Sequence, residues 1–125
     1  MKSISTYAAY LKQNGKPLSE TNPGSHEIAL TGRNALFALD ILKTDHEIIL
    51  GGDILSEEDN QLVYAYQLWG QEYHDLSWYF TSNENESKEI NAKRSNDLAV
   101  ESVINACKVA ETLRKECYIV LIIDS

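Results

Sequence analysis

Ile48-Ile49-Leu50 runs straight into Gly51-Gly52-Asp53 and leaves through Ile54-Leu55. An unbroken apolar run of this length fits a strand covered on both faces. The paired glycines that follow mark a bulge, or a place where another backbone comes close. Cys117-Tyr118-Ile119-Val120-Leu121-Ile122-Ile123 is a second apolar, β-branched run, longer and without interruption. It predicts a central strand. Two such strands require a sheet with helices to cover it, and the rest of the chain has to supply them.

The helical patterns are present. Thr31 is a candidate N-cap for a helix near 34–43, which ends at Lys43, a cation suited to the helix dipole. Ala99, Val103, Ala106, Ala110 and Leu113 recur in steps of four and three, predicting a main helix over 84–114. Asn83 and Glu86 stand at capping-box spacing at its entry. Ile4, Tyr7, Ala8 and Leu11 predict a short N-terminal helix, capped by Ser3 or Ser5 and ended by Gly15 and Pro17. Residues 15–26 read as a polar loop. Between the two apolar strands, Ser56 to Asn60 is turn chemistry. Gln61 to Trp69 alternates as a half-buried strand, with Tyr64 and Tyr66 on one face, forming a hairpin with the glycine-bearing strand. A third strand is expected within Asp75–Thr81. Together these predict one α+β domain over 1–125: an antiparallel sheet of three to five strands, packed by two main helices and the short N-terminal one.

Composition narrows the function classes. At 125 residues and 43% hydrophobic content, the chain can bury a core without metal or disulfide staples. Cys107 and Cys117 are too few for a disulfide framework and read as buried thiols of a reducing compartment, with a single bridge as the alternative. No apolar run reaches membrane-span length, and residues 1–13 lack a signal-peptide core. The net charge is −8, and its distribution is uneven. Residues 44–89 hold eleven carboxylates against Lys88 alone, whereas the remainder holds eight against ten bases. Such a field repels nucleic acid and anionic membrane and attracts basic proteins. A plain solubility surface is the competing reading.

Catalytic signatures are sparse. His26, His46 and His74 are scattered, and Glu72-Tyr73-His74-Asp75 has no second ligand cluster, so no metal or other cofactor is expected. There is no nucleophile elbow and no phosphate-binding glycine loop. Gly51-Gly52-Asp53 resembles the turn of diguanylate cyclases, but Ile54-Leu55 stands where further acids belong. Asp53 as the general base of a small hydrolase or transferase is one alternative; a turn residue accepting backbone hydrogen bonds is the other. Trp69 and Trp78 flank the polar segment 70–75, and aromatics beside acids anchor protein interfaces.

The order of pieces resembles a known family. Glu27-Ile28-Ala29-Leu30, a helix around Ala35-Leu36, Ile49-Leu50-Gly51-Gly52-Asp53, then Tyr66 and Trp69, a long helix and an apolar last strand are similar to the immunity protein 40 type of bacterial polymorphic toxin systems. The resemblance covers roughly 27–123. It departs from the family pattern at Gln67-Leu68 and Gly70. It implies a cytoplasmic, non-catalytic inhibitor that binds a cognate toxin domain, a basic and nuclease-like one fitting the acidic region. A regulatory or scaffold subunit is the remaining alternative. The expected contact residues are Asp53, Glu57, Glu58, Asp59, Trp69, Glu72 and Asp75.

Overall fold

The two apolar runs become neighbours in the sheet. In a computed structural model describing residues 6–18 and 27–124, the order of elements is α1 (Thr6–Asn14), β1 (Lys16–Pro17), β2 (Ile28–Thr31), α2 (Gly32–Thr44), β3 (Ile49–Glu58), β4 (Gln61–Tyr64), α3 (Ala65–Trp69), a 3-10 segment (Gln71–Leu76), β5 (Trp78–Tyr79), α4 (Lys88–Leu113) and β6 (Tyr118–Ile123). The sheet runs β1-β2-β6-β3-β4, with β5 also on β3, and every pairing is antiparallel. The expected α+β architecture is the one observed, and β6 is central. The six strands include two, β1 and β5, of two residues each. Ile4, Ser3, Ser5 and most of the expected loop lie outside the described residues.

One face of the sheet carries the main core. Leu30, Ile49, Ile54, Ile119 and Leu121 meet Ala35, Ala38, Leu39 and Leu42 of α2 and Ala99, Val103 and Ala106 of α4. The stripe read from sequence on α4 is therefore its buried side, extended toward the N-terminus by Ala92, Ser95 and Asn96. Small residues let the helix axis come close to the sheet. Two polar side chains on α4 fix its seat. Ser95 Oγ accepts from Ile49 N at 3.0 Å, and Asn96 Nδ2 donates to Leu39 O at 2.8 Å. Helix α1 packs on α2: Tyr10 stacks on Phe37 with ring centroids 5.1 Å apart, and its hydroxyl meets Asn34 Oδ1.

The caps follow from local chemistry, with one correction. Thr31 Oγ1 accepts from Asn34 N, as expected. Helix α4 starts at Lys88, later than predicted, and Ser87 is its N-cap. Asn83 instead closes an Asx turn on Asn85 N, and buried Asn91 takes up the neighbouring loop. Its Oδ1 accepts from Asn83 N, and its Nδ2 faces the carbonyls of Asn83, Glu86 and Ser87.

The region after β3 differs more. Strand β3 continues through Glu58, so the turn is only Asp59-Asn60, both at positive φ (52° and 66°). That conformation is the one a two-residue hairpin demands, and Asn and Asp tolerate it. The expected strand Gln61–Trp69 stops at Tyr64 and becomes α3. The reason lies on β3: its edge pairs β4 only as far as Leu55, and Gly51 and Gly52 pair β5 instead. The chain must turn away, and Ala65 and Trp69, four residues apart, put one helical face on the core. Of the expected strand Asp75–Thr81, only Trp78-Tyr79 pairs. Gly70, at φ +130°, turns the chain into the 3-10 segment, which takes up Asp75 and Leu76.

Both glycine readings hold. The β3–β6 register shifts between Ile49 and Gly51, which is the bulge. A Cβ on Gly51 would sit 2.3 Å from Trp78 O, and one on Gly52 would sit 2.3 Å from the Trp78 ring. Trp78 is thereby a core residue, lying flat over a strand that has no side chain to hold it off. Overpacking sets the expected outcome: Gly52→Ala lowers the unfolding free energy by about 1–3 kcal/mol. In urea unfolding, a Gly52→Ala/Trp78→Leu double variant should lose less than the sum of the singles.

Candidate partner-binding surface

Alternation along β3 sends Gly51, Asp53, Leu55 and Glu57 to the sheet face away from the main core. Their cross-strand partners on β6 are Ile122, Val120 and Tyr118, and on the other side Tyr79 of β5, then Tyr64 and Leu62 of β4. The centre of this face is a second, smaller apolar cluster: Leu18, Ala29, Leu55, Leu62 and Val120, with Tyr118 against it. Around it the face is open, with Tyr79 83% exposed, Tyr64 41% and Ile122 36%. Tyr64 is a surface residue.

The seven expected contact residues fall into three groups. Asp53 and Glu57 lie on the open sheet face. Glu58 and Asp59 are exposed at the hairpin tip. Trp69 ends α3, and exposed Glu72 and Asp75 follow in the 3-10 segment. A row of rings connects the first group to the third. Tyr64 stacks on Tyr66 at 5.9 Å, and Tyr66 meets His74 edge-on at 4.8 Å, with Asp75 Oδ1 3.7 Å from His74 Nδ1. Trp69 meets Tyr73 edge-on at 6.1 Å and packs against the core. Its indole nitrogen is buried without an acceptor among the described residues.

The carboxylates are not equivalent. Glu57 is paired with Lys16, whose ammonium also lies 5.9 Å from the centre of the Tyr118 ring. Glu58, Asp59 and Glu72 have no cation within ion-pair distance among the described residues. Neither has Asp53, and burial pushes its carboxyl above the ordinary 3.8. Burial also raises the Tyr64 phenol, with the charges of Asp53 and Glu27 adding to it. Tyr79 and Ile122 carry no charge, so charge counting passed over them. The alternation of Trp78 with Tyr79 was their one visible signal in the sequence.

A cavity of about 320 Å³ beside Tyr64 is lined by Leu18, Glu27, Leu55, Gln61, Leu62, Val63, Tyr64 and Gln67, and Asp53 is not among them. Among the described residues no group of three His, Cys, Asp or Glu side chains is placed to hold a metal ion. No helix among them is long and apolar enough to cross a membrane.

The two cysteines lie elsewhere. Cys107 of α4 packs against Gly32 at the start of α2, where a Cβ would meet its Sγ at 2.1 Å. Both thiols are free and hydrogen-bonded to one another. That bond lowers Cys107 to about 7 and, by holding the proton on its partner, raises Cys117.

Two outcomes follow. Asp53 is more basic folded than unfolded, so its cost to stability is absent below pH 3.8 and complete above its folded pKa. Asp53→Asn should therefore raise Tm at pH 7, and thermal melts at falling pH should show the gain shrinking to nothing. Iodoacetamide should alkylate Cys107 before Cys117, with a rate midpoint near pH 7, and Cys117→Ala should move that midpoint upward.

No curated protein and no solved structure matches the chain. A family model does: that of immunity protein 40, over residues 17–123. The match starts ten residues before the stretch that carried the resemblance, takes in β2 through β6, and leaves α1 outside. With nearly the whole sheet and both main helices inside it, this chain belongs to the immunity protein 40 family.

Proposed function

We propose that this chain, a single cytoplasmic domain, protects the cell that makes it by binding a cognate toxin's catalytic domain one to one and covering its active surface, without chemistry of its own. Family membership is the observation that carries this reading. The surface is suited to it. Between Asp53 and Asp75 runs the row of rings Tyr64, Tyr66 and His74, and Asp53 has no cation within ion-pair distance among the described residues; aromatic rings beside carboxylates anchor interfaces. The excess of eleven carboxylates over one base in 44–89 selects a basic partner. A toxin that cleaves nucleic acid has that character, since it must hold phosphates.

The contact is assigned to Asp53, Glu58, Asp59, Trp69, Glu72 and Asp75. Glu57, engaged by Lys16, contributes less charge to the encounter than the sequence suggested. Co-expression with the toxin domain from the neighbouring gene is the direct test, and restored growth is expected. Glu58→Lys with Asp59→Lys should slow association by about tenfold at low salt and flatten its salt dependence, leaving dissociation nearly unchanged. Association at the wild-type rate would remove the hairpin tip from the interface.

A further inference from the structure

Cys107 and Cys117 are the two cysteines of the chain, and the fold brings them into contact. Both side chains pack against the main core cluster. The ladder between β2 and β6 ends at Thr31 and Tyr118. One step past it, Gly32 opens α2 and Cys117 precedes β6, so these two residues leave the sheet side by side. Cys107 Sγ arrives from α4 and fills the place of the side chain that Gly32 lacks: a Cβ there would sit 2.1 Å from the sulfur. The glycine thus admits the sulfur of a helix to the strand end that carries the other thiol. There the two thiols hydrogen-bond to one another.

The chain between the thiols is fixed by bonds that do not involve sulfur. Arg114, at φ 57°, ends α4; its amide donates to Glu111 O, and that of Lys115 to Ala110 O. Buried Ser56 then donates through Oγ to Glu116 O at 2.7 Å, next to Cys117. The reduced pair is therefore already held in place, and joining the sulfurs requires no refolding. The two thiols differ in chemistry. Half-buried Cys107 is lowered to about 7 by the hydrogen bond from Cys117, against burial and the charge of Glu111. A thiolate present at neutral pH is the form that attacks a peroxide. Cys117 keeps its proton, held by that same bond and by deeper burial.

We propose that Cys107 and Cys117, seated over Gly32, form a reversible thiol–disulfide site that reacts with hydrogen peroxide, Cys107 being the thiol oxidised and Cys117 the one that resolves it. The Cys107 sulfur attacks one peroxide oxygen, the O–O bond breaks, and the departing hydroxide takes a proton and leaves as water. Cys107 is then a sulfenic acid. The Cys117 sulfur attacks it: the S–S bond forms, the S–O bond breaks, and the hydroxyl leaves as water with the Cys117 proton. The peroxide gains two electrons, and the two thiols supply them. A dithiol reductant opens the bridge again by exchange. Bridging takes Cys107 off the path to irreversible sulfinic acid. It also ties the end of α4 covalently to the start of the central strand. This site needs no partner protein, so it stands independently of the immunity function.

The test uses the full chain, freed of reductant, treated with hydrogen peroxide and followed by mass spectrometry without reduction. The expected product is a monomer lighter by two hydrogens, in which the tryptic peptides 95–108 and 116–125 are joined through Cys107 and Cys117. Dithiothreitol should restore the starting mass. The bridged form should melt higher by roughly 5–10 °C. Cys117→Ser should stop at a Cys107 sulfenic acid that dimedone captures, whereas Cys107→Ser should react with peroxide about tenfold more slowly or less. Thiols that both stay free, a disulfide-linked dimer as the main product, or a Cys107 sulfinic acid formed in place of the bridge would overturn the proposal. So would a bridged form that melts no higher than the reduced one. Equal peroxide rates in the two serine variants would overturn the division of roles. The wild-type measurement decides the bridge whether or not either variant folds.

Discussion

A single hydrogen bond holds the helical layer to the sheet at the point where the sheet is irregular. Next to the bulge at Ile49–Gly51, the Ile49 amide donates to Ser95 Oγ on α4, and that hydroxyl in turn donates to Ala92 O. Ser95 is fully buried. A buried amide without an acceptor costs about 1–3 kcal/mol, so the serine supplies what the interrupted ladder cannot. The next residue, Asn96, bonds α2. Two consecutive polar residues on one helix thus fix it against both the sheet and the neighbouring helix α2. The bulge they stabilise also places Gly51 and Gly52 where Trp78 can cross the strand, and that crossing brings Tyr79 to the far face.

Much of this fold was legible because its main elements are locally determined. The apolar runs of β3 and β6, the Thr31 cap and the small-residue stripe of α4 are properties of neighbouring residues, and each was found where expected. The error between Tyr64 and Trp69 has a long-range cause. Alternating residues there also satisfy a four-residue helical step, from Ala65 to Trp69. The choice was made by β5, which takes the edge of β3 that β4 would have needed. Such competition between distant segments is invisible to a pattern read in one window. The helix start at Lys88 was missed for a milder reason: Asn83 and Ser87 are both competent caps, and buried Asn91 decides between them by gathering the loop carbonyls.

The surface divides in the same way. Regional acidity is a count, and the sequence displays it fully. Which carboxylates are available to a partner is not a count. Lys16 lies 41 positions from Glu57, yet it occupies that carboxylate, whereas Asp53, on the same strand and face, has no such neighbour among the described residues. Tyr79 and Ile122 are likewise brought together by two strands, far apart in the chain, that pair with Gly51 from opposite edges of β3.

The position of β6 has a kinetic consequence. It lies between β2 and β3, which share no ladder with each other, and it follows both of them in the chain. During synthesis the earlier strands have no central partner, and the middle of the sheet stays open until Ile119 and Leu121 have emerged. Closing contacts across that sequence distance is slow, because the loop entropy is lost before the pairing compensates for it. The chain therefore acquires its main core late and nearly all at once, and the open face of the sheet, which depends on β6 for one wall, is assembled in that same last step.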